Sequence, residues 1–185
     1  ALAGSGVGYG IQNQYNDVTI QNCRIRDFDT GIYLHDVADR NLLYNNTIWS
    51  NEGYGIYIHN GWYNEIRENI VYSNGYNGLY LYNNSKYNQI IDNEFKTNGR
   101  HGIQLMENSH NNTIEDNYLY LNNWSGLGVN TNSNTIEKNR PHYNKAYGIY
   151  VAGTATGNMI TNNATYRNSN YGFYLEGVNS NTLMG

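Results

Sequence analysis

The chain is poor in charged residues, which make up 14% of it, and it has one proline and one cysteine. Because Cys23 has no partner, the sequence excludes an intrachain disulfide and a cysteine-based zinc site. No apolar run approaches the roughly 18 residues that cross a bilayer, so we expect no membrane insertion. Helix-forming residues are scarce, and no segment shows a 3.6-residue period, which disfavours a helical fold.

The net charge restricts the partners further. The chain has 11 Lys and Arg against 15 Asp and Glu, a formal net charge of -4 at pH 7. Proteins that neutralise nucleic-acid phosphates need a basic surface, and no basic stripe is visible in the sequence. We therefore expect no nucleic-acid partner.

The two ends of the chain lie inside a repeat. The first residues, ALAGSGVGYG, lack the charged and apolar regions of a signal peptide. Gly10 and Ile11 form part of a repeat with no full copy before it, and Asn181 opens a copy that stops. We expect either a segment of a longer chain or a unit that stacks on copies of itself.

The repeat has a period in the low twenties. In one copy, three asparagines five residues apart (Asn64, Asn69 and Asn74) precede Gly78 and the apolar pair Leu79 and Leu81. A fixed period of this length is typical of a solenoid. The same frame recurs at 41–58, 88–105, 112–129, 134–151 and 158–175.

Each copy contains three short strand signals. In most copies the residue two positions after each of the first two asparagines is apolar, as at Ile66 and Val71, and such alternation is typical of strands. Asn and Gly accept the backbone angles that corners need, and stacked asparagines hydrogen-bond amide to amide. We predict an all-β fold, a single-stranded parallel β-helix of about seven and a half coils with three short parallel sheets, forming one domain over residues 1–185.

A leucine-rich repeat has a similar period, but it would show one asparagine per copy and a helical or extended return arm. The interval between the glycine and the next asparagine varies, so this corner is expected to hold the loops. The first coil departs from the frame. There we expect Asp17, Asn22 and Asp27 at the ladder positions, with Thr19 and Arg24 facing inward.

Pro141, the single proline, falls at an inward strand position. Proline has no N–H group for the ladder of a sheet, so it is usually confined to edges and bulges. The sequence therefore predicts a local bulge or a lost hydrogen bond near Pro141.

The frame N-x-I-x-x-N-x-I-x-x-N-x-x-x-G-I-x-L resembles the right-handed parallel β-helix repeats of NosD-type periplasmic copper-binding proteins, and it is equally similar to carbohydrate-binding and sugar-hydrolase repeat domains. The resemblance covers about Gly10 to Leu183. It implies a right-handed β-helix, an extracellular, cell-surface or periplasmic location, and a polysaccharide partner. The Asp-Pro-His signature of alginate epimerases is missing, since Arg140-Pro141-His142 lacks the acid.

Aromatic residues recur at outward positions. An exposed aromatic strip is typical of an interaction surface, and Tyr and Trp suit sugar rings because they combine apolar faces with a polar edge. Stacked rings also stabilise neighbouring strands, and the strip could equally pack against another copy of the chain. The predicted substrate-binding residues are Tyr33, Tyr57, Tyr80, Tyr150 and Tyr174 in one column and Trp49, Tyr72, Tyr120 and Tyr166 in another. Tyr54, His101, Tyr147 and Tyr171, just before the corner glycines, are expected on the same outer surface.

A column of carboxylates offers a second candidate site. Glu68, Asp92 and Asp116 fall at equivalent positions, and like charges about 4.8 Å apart repel unless a cation or a proton intervenes. Calcium prefers such oxygen ligands, which makes these residues a candidate metal site. The alternative is a solvated corner whose charge is relieved by Arg67 and Lys138. No other cofactor is expected.

Two histidines in neighbouring coils, His35 and His59, lie beside Asp36 and form a candidate copper or zinc pair without a third strong ligand. No Ser-His-Asp, Cys-His or phosphate-binding loop can be assembled. The sequence leaves three classes open: a non-catalytic polysaccharide-binding module, a filament or sheath subunit that stacks end to end, and a polysaccharide lyase, epimerase or hydrolase.

Overall fold

A computed structural model describes all 185 residues, which form β-strands joined by turns. It contains no helix that is long and apolar enough to span a membrane. In chain order the strands are β1 Leu2–Ala3, β2 Tyr9–Asn13, β3 Thr19–Gln21, β4 Arg24–Arg26, β5 Thr30–Leu34, β6 Leu42–Tyr44, β7 Thr47–Trp49, β8 Ile56–His59, β9 Glu65–Arg67, β10 Ile70–Tyr72, β11 Leu79–Tyr82, β12 Gln89–Ile91, β13 Glu94–Lys96, β14 Ile103–Leu105, β15 Thr113–Glu115, β16 Tyr118–Tyr120, β17 Leu127–Val129, β18 Thr135–Glu137, β19 Arg140–His142, β20 Ile149–Ala152, β21 Met159–Thr161, β22 Phe173–Glu176 and β23 Thr182–Met184.

The strands form three parallel sheets, each taking one strand from successive coils. Sheet A has seven strands in the order β1-β4-β7-β10-β13-β16-β19. Sheet B has eight, β2-β5-β8-β11-β14-β17-β20-β22, and sheet C has eight, β3-β6-β9-β12-β15-β18-β21-β23. The predicted all-β solenoid with three parallel sheets is therefore confirmed. Within a coil the chain passes from sheet C to sheet A across two residues, and from sheet A to sheet B and from B back to C across longer corners.

Asparagine ladders hold the corners together. Asn69 Nδ2 donates to Asn93 Oδ1 at 3.0 Å, and the Asn69 backbone N–H donates to the same oxygen at 2.9 Å. Asn93 repeats both bonds with Asn117. Because Asn93 also donates to the carbonyls of Ile66 and Ile91, its amide satisfies backbone groups that the corner leaves without partners. The three predicted ladders are present along the solenoid.

The interior is a single column of apolar side chains. One cluster of 26 buried residues runs through the coils, with inward residues such as Ile66 and Val71 fully buried. The corner glycines are needed because the coils approach closely there. A Cβ on Gly78 would lie 2.7 Å from the Gly102 carbonyl oxygen and 2.8 Å from Phe95 Cδ1.

The register predicted for the first coil is wrong by one residue. The N–H groups of Val18, Cys23 and Phe28 donate to the side chains of the ladder asparagines in the next coil, so these three residues occupy the ladder positions. Asp17, Asn22 and Asp27 adopt positive φ at the corners instead. Ile20 and Ile25 face inward and are buried, whereas Thr19 and Arg24 are exposed. The first coil has no asparagine at its ladder positions to mark the register.

Pro141 interrupts sheet A on one side only. It pairs in register with Leu119 of the preceding coil, without a bulge. Toward the following coil, pairing is reduced to a single bridge between His142 and Tyr166, and sheet A ends there. The predicted loss of ladder bonding is confirmed on this side, because proline has no N–H group to donate to the next coil.

Candidate functional site

The sheet B column forms as predicted. Tyr33 pairs laterally with Tyr57 and Tyr57 with Tyr80, and Tyr150 pairs with Tyr174. Gln104 and Gly128 take the equivalent positions between the two tyrosine groups. The aromatic strip therefore consists of two stretches with a gap of two coils.

The rings in this column cover one another. Tyr33 and Tyr57 stack with centroids 4.9 Å apart, and Tyr57 and Tyr80 stack at 5.5 Å. Burial, followed by the neighbouring tyrosines, raises the pKa of Tyr57 well above its usual value. Tyr33 is only 8% exposed, so the expectation that it belongs to an open binding strip is wrong. In the second stretch, a hydrogen bond to Glu176 raises the pKa of Tyr150 to about 12.

A second layer of side chains lies over this column, which sequence spacing alone did not indicate. Tyr54 stacks on Tyr80 of the next coil at 5.1 Å, and Tyr147 stacks on Tyr174 at 4.7 Å. The residue before each corner glycine therefore reaches along the solenoid axis rather than straight outward. These contacts thicken the aromatic surface and leave mainly the ring edges to solvent.

His101 is the exception in that layer. It was expected on the outer surface, but it is 2% exposed, because its ring lies over Gly128 and meets Trp124 edge-on at 5.3 Å. Its Nδ1 is buried without a hydrogen-bond partner. Burial, with a smaller contribution from Arg100, lowers the pKa of His101 to about 4.

The sheet A column mixes aromatic rings with a cation. Trp49 and Tyr72 stack nearly parallel with centroids 5.9 Å apart. Lys96 Nζ lies 5.6 Å from the Tyr72 ring and 5.8 Å from the Tyr120 ring. His142 then stacks between Tyr120 at 4.9 Å and Tyr166 at 4.7 Å. The predicted residues Trp49, Tyr72, Tyr120 and Tyr166 therefore share one face, and Tyr166 is 47% exposed.

One carboxylate, Glu94, lies beside this column on the same face of sheet A. Glu94 Oε1 accepts a hydrogen bond from Lys96 Nζ at 2.7 Å and another from the Tyr120 hydroxyl. Partial burial acts to raise the pKa of Glu94, but these two hydrogen bonds outweigh it and hold the pKa below its usual value. The Glu94 carboxylate is therefore ionised and bound to Lys96 and Tyr120.

The acidic column lies at the short corner between sheets C and A. Glu68, Asp92 and Asp116 occupy successive corners with φ of 55°, 54° and 53°. No group of three or more His, Cys, Asp or Glu side chains comes close enough to hold a metal ion, so the geometry gives the calcium prediction no support. Arg67 bonds Glu68 at 3.2 Å and Lys138 bonds Glu115 at 2.7 Å, which relieves part of the repulsion.

The two neighbouring histidines share one carboxylate. Asp36 Oδ1 lies 2.7 Å from His59 Nδ1, and Asp36 Oδ2 lies 3.6 Å from His35 Nδ1. The amide of Asn83 is 3.1 Å from His59 Nε2, so both nitrogens of that ring have protein partners. This arrangement orients His59 within the corner and leaves it no free nitrogen for a metal.

A single cavity opens at the corner between sheets B and C, which the sequence did not indicate. It is shallow, with a volume of about 320 Å³. Its lining residues are Val37, Asp39, Asn60, Trp62 and Asn84. The Trp62 indole N–H donates to the Asn84 carbonyl at 2.8 Å, and Asp39 accepts from the Trp62 backbone N–H at 2.7 Å.

The fold is that of a known family. The family model described as "Right handed beta helix region" matches residues 5–165 and, in a second alignment, 105–185. The chain belongs to this right-handed β-helix family. The predicted handedness is thereby confirmed, while a specific relation to NosD-type proteins is not shown. A sequence comparison with curated proteins gives no match.

Solved structures of similar fold include two epimerases and a DFA-IIIase. A point mutant of the periplasmic alginate epimerase AlgG aligns with a TM-score of 0.81 and 24% identity over 87% of this chain and 38% of that one. The A-module of the mannuronan C-5 epimerase AlgE4 from Azotobacter vinelandii has a TM-score of 0.74 and 18% identity over 98% and 61%. DFA-IIIase from Arthrobacter chlorophenolicus has a TM-score of 0.71 and 16% identity over 92% and 51%. The chain thus spans 38% to 61% of these proteins, and the likeness concerns the fold.

Proposed function

We propose that this β-helix is a module that binds polysaccharide along its outer aromatic columns, without catalysis in this segment. The observation that carries the proposal is the placement of Trp49, Tyr72, Tyr120 and Tyr166 on the outer face of sheet A. Successive strands lie about 4.8 Å apart, so aromatic edges and hydroxyls recur along a straight face that suits an extended chain.

The mutual stacking of the rings limits which parts of them a sugar can contact. Because the faces of rings such as Tyr57 and His142 are covered by their neighbours, a sugar would contact ring edges and hydroxyl groups. More open contact is offered by Trp124, which is 53% exposed, and by Tyr166. The solved structures of similar fold include a periplasmic alginate epimerase and a mannuronan C-5 epimerase, which supports a carbohydrate partner and an extracellular or periplasmic location.

The residues near the columns do not form an acid and base pair. Glu94 is held by Lys96 and Tyr120, and His142 Nδ1 lies 2.9 Å from the Arg140 carbonyl oxygen. Because Arg140 stands where an alginate-epimerase signature would have an acid, the string 140–142 lacks a carboxylate to serve as a base. We therefore place binding, rather than bond cleavage or epimerisation, in this segment.

Affinity electrophoresis in gels that contain soluble polysaccharides tests the proposal. We expect the wild-type protein to be retarded by at least one polymer, and Tyr120→Ala together with Tyr166→Ala to reduce the retardation. Tyr44→Ala is the matched control, because Tyr44 is an outward tyrosine on sheet C beneath Arg67. Tyr120→Phe and Tyr166→Phe, which keep the rings, serve if the alanine variants do not fold.

Three results would contradict this proposal. Mobility that is unchanged by every polymer tested would remove the binding function. Release of oligosaccharides or unsaturated products from any polymer would show that the segment is catalytic. Equal loss of retardation in the sheet A and sheet C variants would mean that the aromatic face of sheet A is not the binding surface.

A further inference from the structure

In the last four coils, sheet A, the bridge at Tyr166 that continues it and the corner that follows form a strongly basic surface, which we call the basic face. The segments concerned are 94–101, 118–125, 140–147 and 164–171. They carry five cations and one carboxylate, Glu94, and therefore have a net charge of +4. The whole chain, by contrast, has a net charge of -4. The cations are Lys96, Arg100, Arg140, Lys145 and Arg167.

The neighbouring face has the opposite charge. In the same four coils, sheet C and its short corner (89–93, 113–117, 135–139 and 159–163) carry four carboxylates and one cation. The residues are Asp92, Glu115, Asp116, Glu137 and Lys138. The expectation that the chain has no basic stripe is therefore wrong. The net charge of the chain hides this stripe, because it sums the basic and acidic residues that the coiling places on different faces.

Most cations on the basic face have no carboxylate partner. Lys96 pairs with Glu94 at 2.7 Å. None of the ion pairs of the structure includes Arg100, Arg140, Lys145 or Arg167. Elsewhere on the solenoid, cations such as Arg40 and Lys138 do have carboxylate partners. The basic face is thus where unneutralised positive charge collects.

Aromatic rings hold three of these guanidinium groups in place. Arg100 lies 4.8 Å from the Tyr76 ring and 5.8 Å from the Trp124 ring. Arg140 lies 4.9 Å from the Tyr118 ring, and Arg167 lies 5.5 Å from the Tyr143 ring. Arg140 and Arg167 each also donate one N–H to the hydroxyl of that tyrosine, which fixes the guanidinium further. The remaining N–H donors are available to an external acceptor, and less side-chain entropy is lost on binding.

We infer that the basic face binds a carboxylated polysaccharide, such as a uronate polymer, whose carboxylates are held by Arg100, Arg140, Arg167 and Lys145. The inference rests on the proposed polysaccharide-binding function and specifies its ligand. A guanidinium group can donate two parallel hydrogen bonds to one carboxylate. The four coils distribute the guanidinium groups along about 15 Å of one face.

A nucleic acid is the other anionic polymer that such charge attracts, and the rings argue against it. Proteins that bind single strands stack the bases on open aromatic faces. On the basic face, His142 stacks between Tyr120 and Tyr166, and guanidinium groups cover Tyr118 and Tyr143. Trp124 and Tyr171 are the most exposed rings there, and the rest of the face offers ring edges, hydroxyls and cations, which suit the hydroxyl and carboxylate groups of acidic sugars.

The test compares a polymer of carboxylated sugars with its uncharged methyl ester. We expect affinity electrophoresis to show retardation of the wild-type protein by polygalacturonate, weaker retardation by its methyl ester, and a decline as NaCl is raised. The triple variant Arg100→Gln, Arg140→Gln and Arg167→Gln should bind polygalacturonate at least about tenfold more weakly. The control triple Arg40→Gln, Arg67→Gln and Lys138→Gln changes the net charge equally on other faces and should bind within about twofold of wild type.

Thermal unfolding of each variant shows whether it folds. If the basic-face triple does not fold, the single variant Lys145→Gln provides the comparison, because Lys145 is exposed and in no ion pair. Equal retardation by polygalacturonate and its methyl ester would overturn the charge inference while leaving polysaccharide binding intact. Retardation by no polymer would overturn both. Tighter binding of single-stranded DNA than of polygalacturonate at equal NaCl would assign the basic face to nucleic acid.

Discussion

The imidazole of His101 lies over Gly128 of the next coil, at an outward position of sheet B that lacks a side chain. A Cβ on Gly128 would be 3.0 Å from His101 Cε1 and 3.1 Å from His101 Nδ1. Trp124 closes the other side of the imidazole. The space left by the missing side chain at Gly128 is therefore filled by the imidazole of His101, which becomes buried.

This packing makes the two positions interdependent. Gly128→Ala should reduce the free energy of unfolding by about 1–2 kcal/mol, because the added methyl group overpacks against a covered ring. In a His101→Asn background the same substitution should cost much less, since the smaller side chain leaves room, as Asn77 does over Gln104. A double-mutant cycle from urea unfolding measures the coupling. Additive effects would contradict the proposed contact.

His101 should make stability depend on pH. Its pKa is about 4 in the folded protein and near 6.5 when unfolded, so below pH 6.5 the unfolded state binds more protons. Stability is then complete above pH 6.5 and falls by about 3 kcal/mol as the pH drops toward 4. Urea unfolding at several pH values should show this loss in the wild type and a smaller loss in His101→Leu. Identical profiles would mean that His101 titrates normally.

The asparagine ladder should dominate corner stability. Asn93 donates to Ile66, Ile91 and Asn117 and accepts two hydrogen bonds from Asn69, all in the interior or at its boundary. Asn93→Ala should cost about 3 kcal/mol or more, because it leaves buried donors and acceptors unpaired. Asn123→Ala is the control, since Asn123 is exposed, its side chain makes no hydrogen bond and its backbone is not left-handed, and it should change stability by less than about 0.5 kcal/mol. Comparable costs would refute the ladder argument.

Pro141→Val should extend sheet A by one ladder bond. Tyr143 N–H donates to the carbonyl of Tyr166 in the next coil, so an N–H at position 141, two residues earlier, would face the carbonyl of Ala164. The new bond contributes about 1 kcal/mol, and the loss of proline rigidity in the unfolded chain offsets a similar amount. We therefore expect little change in stability but slow hydrogen exchange of the new amide at 141. Rapid exchange there would show that the strand cannot pair further.

The repeat frame was sufficient to predict the solenoid, its three sheets and the lateral register of columns such as Tyr57 and Tyr80. It succeeded because each coil repeats the same local requirements: an asparagine where the corner amide must be satisfied, a glycine where coils approach closely, and alternation along each strand. It was wrong in the first coil, where Val18, Cys23 and Phe28 replace the asparagines that mark the register elsewhere.

The sequence by itself determined which residues lie above one another, because that depends on the number of residues per coil. Only the tertiary structure decided which side chains stay exposed: His101 turns over Gly128, and Tyr33 is covered by its neighbours in adjacent coils. It also separated positive from negative charge, with Arg140 and Glu137 three residues apart in the chain but on different sheets. Burial and electrostatic potential depend on neighbours one coil away and on the face to which each corner directs the strand, and neither is a property of local sequence.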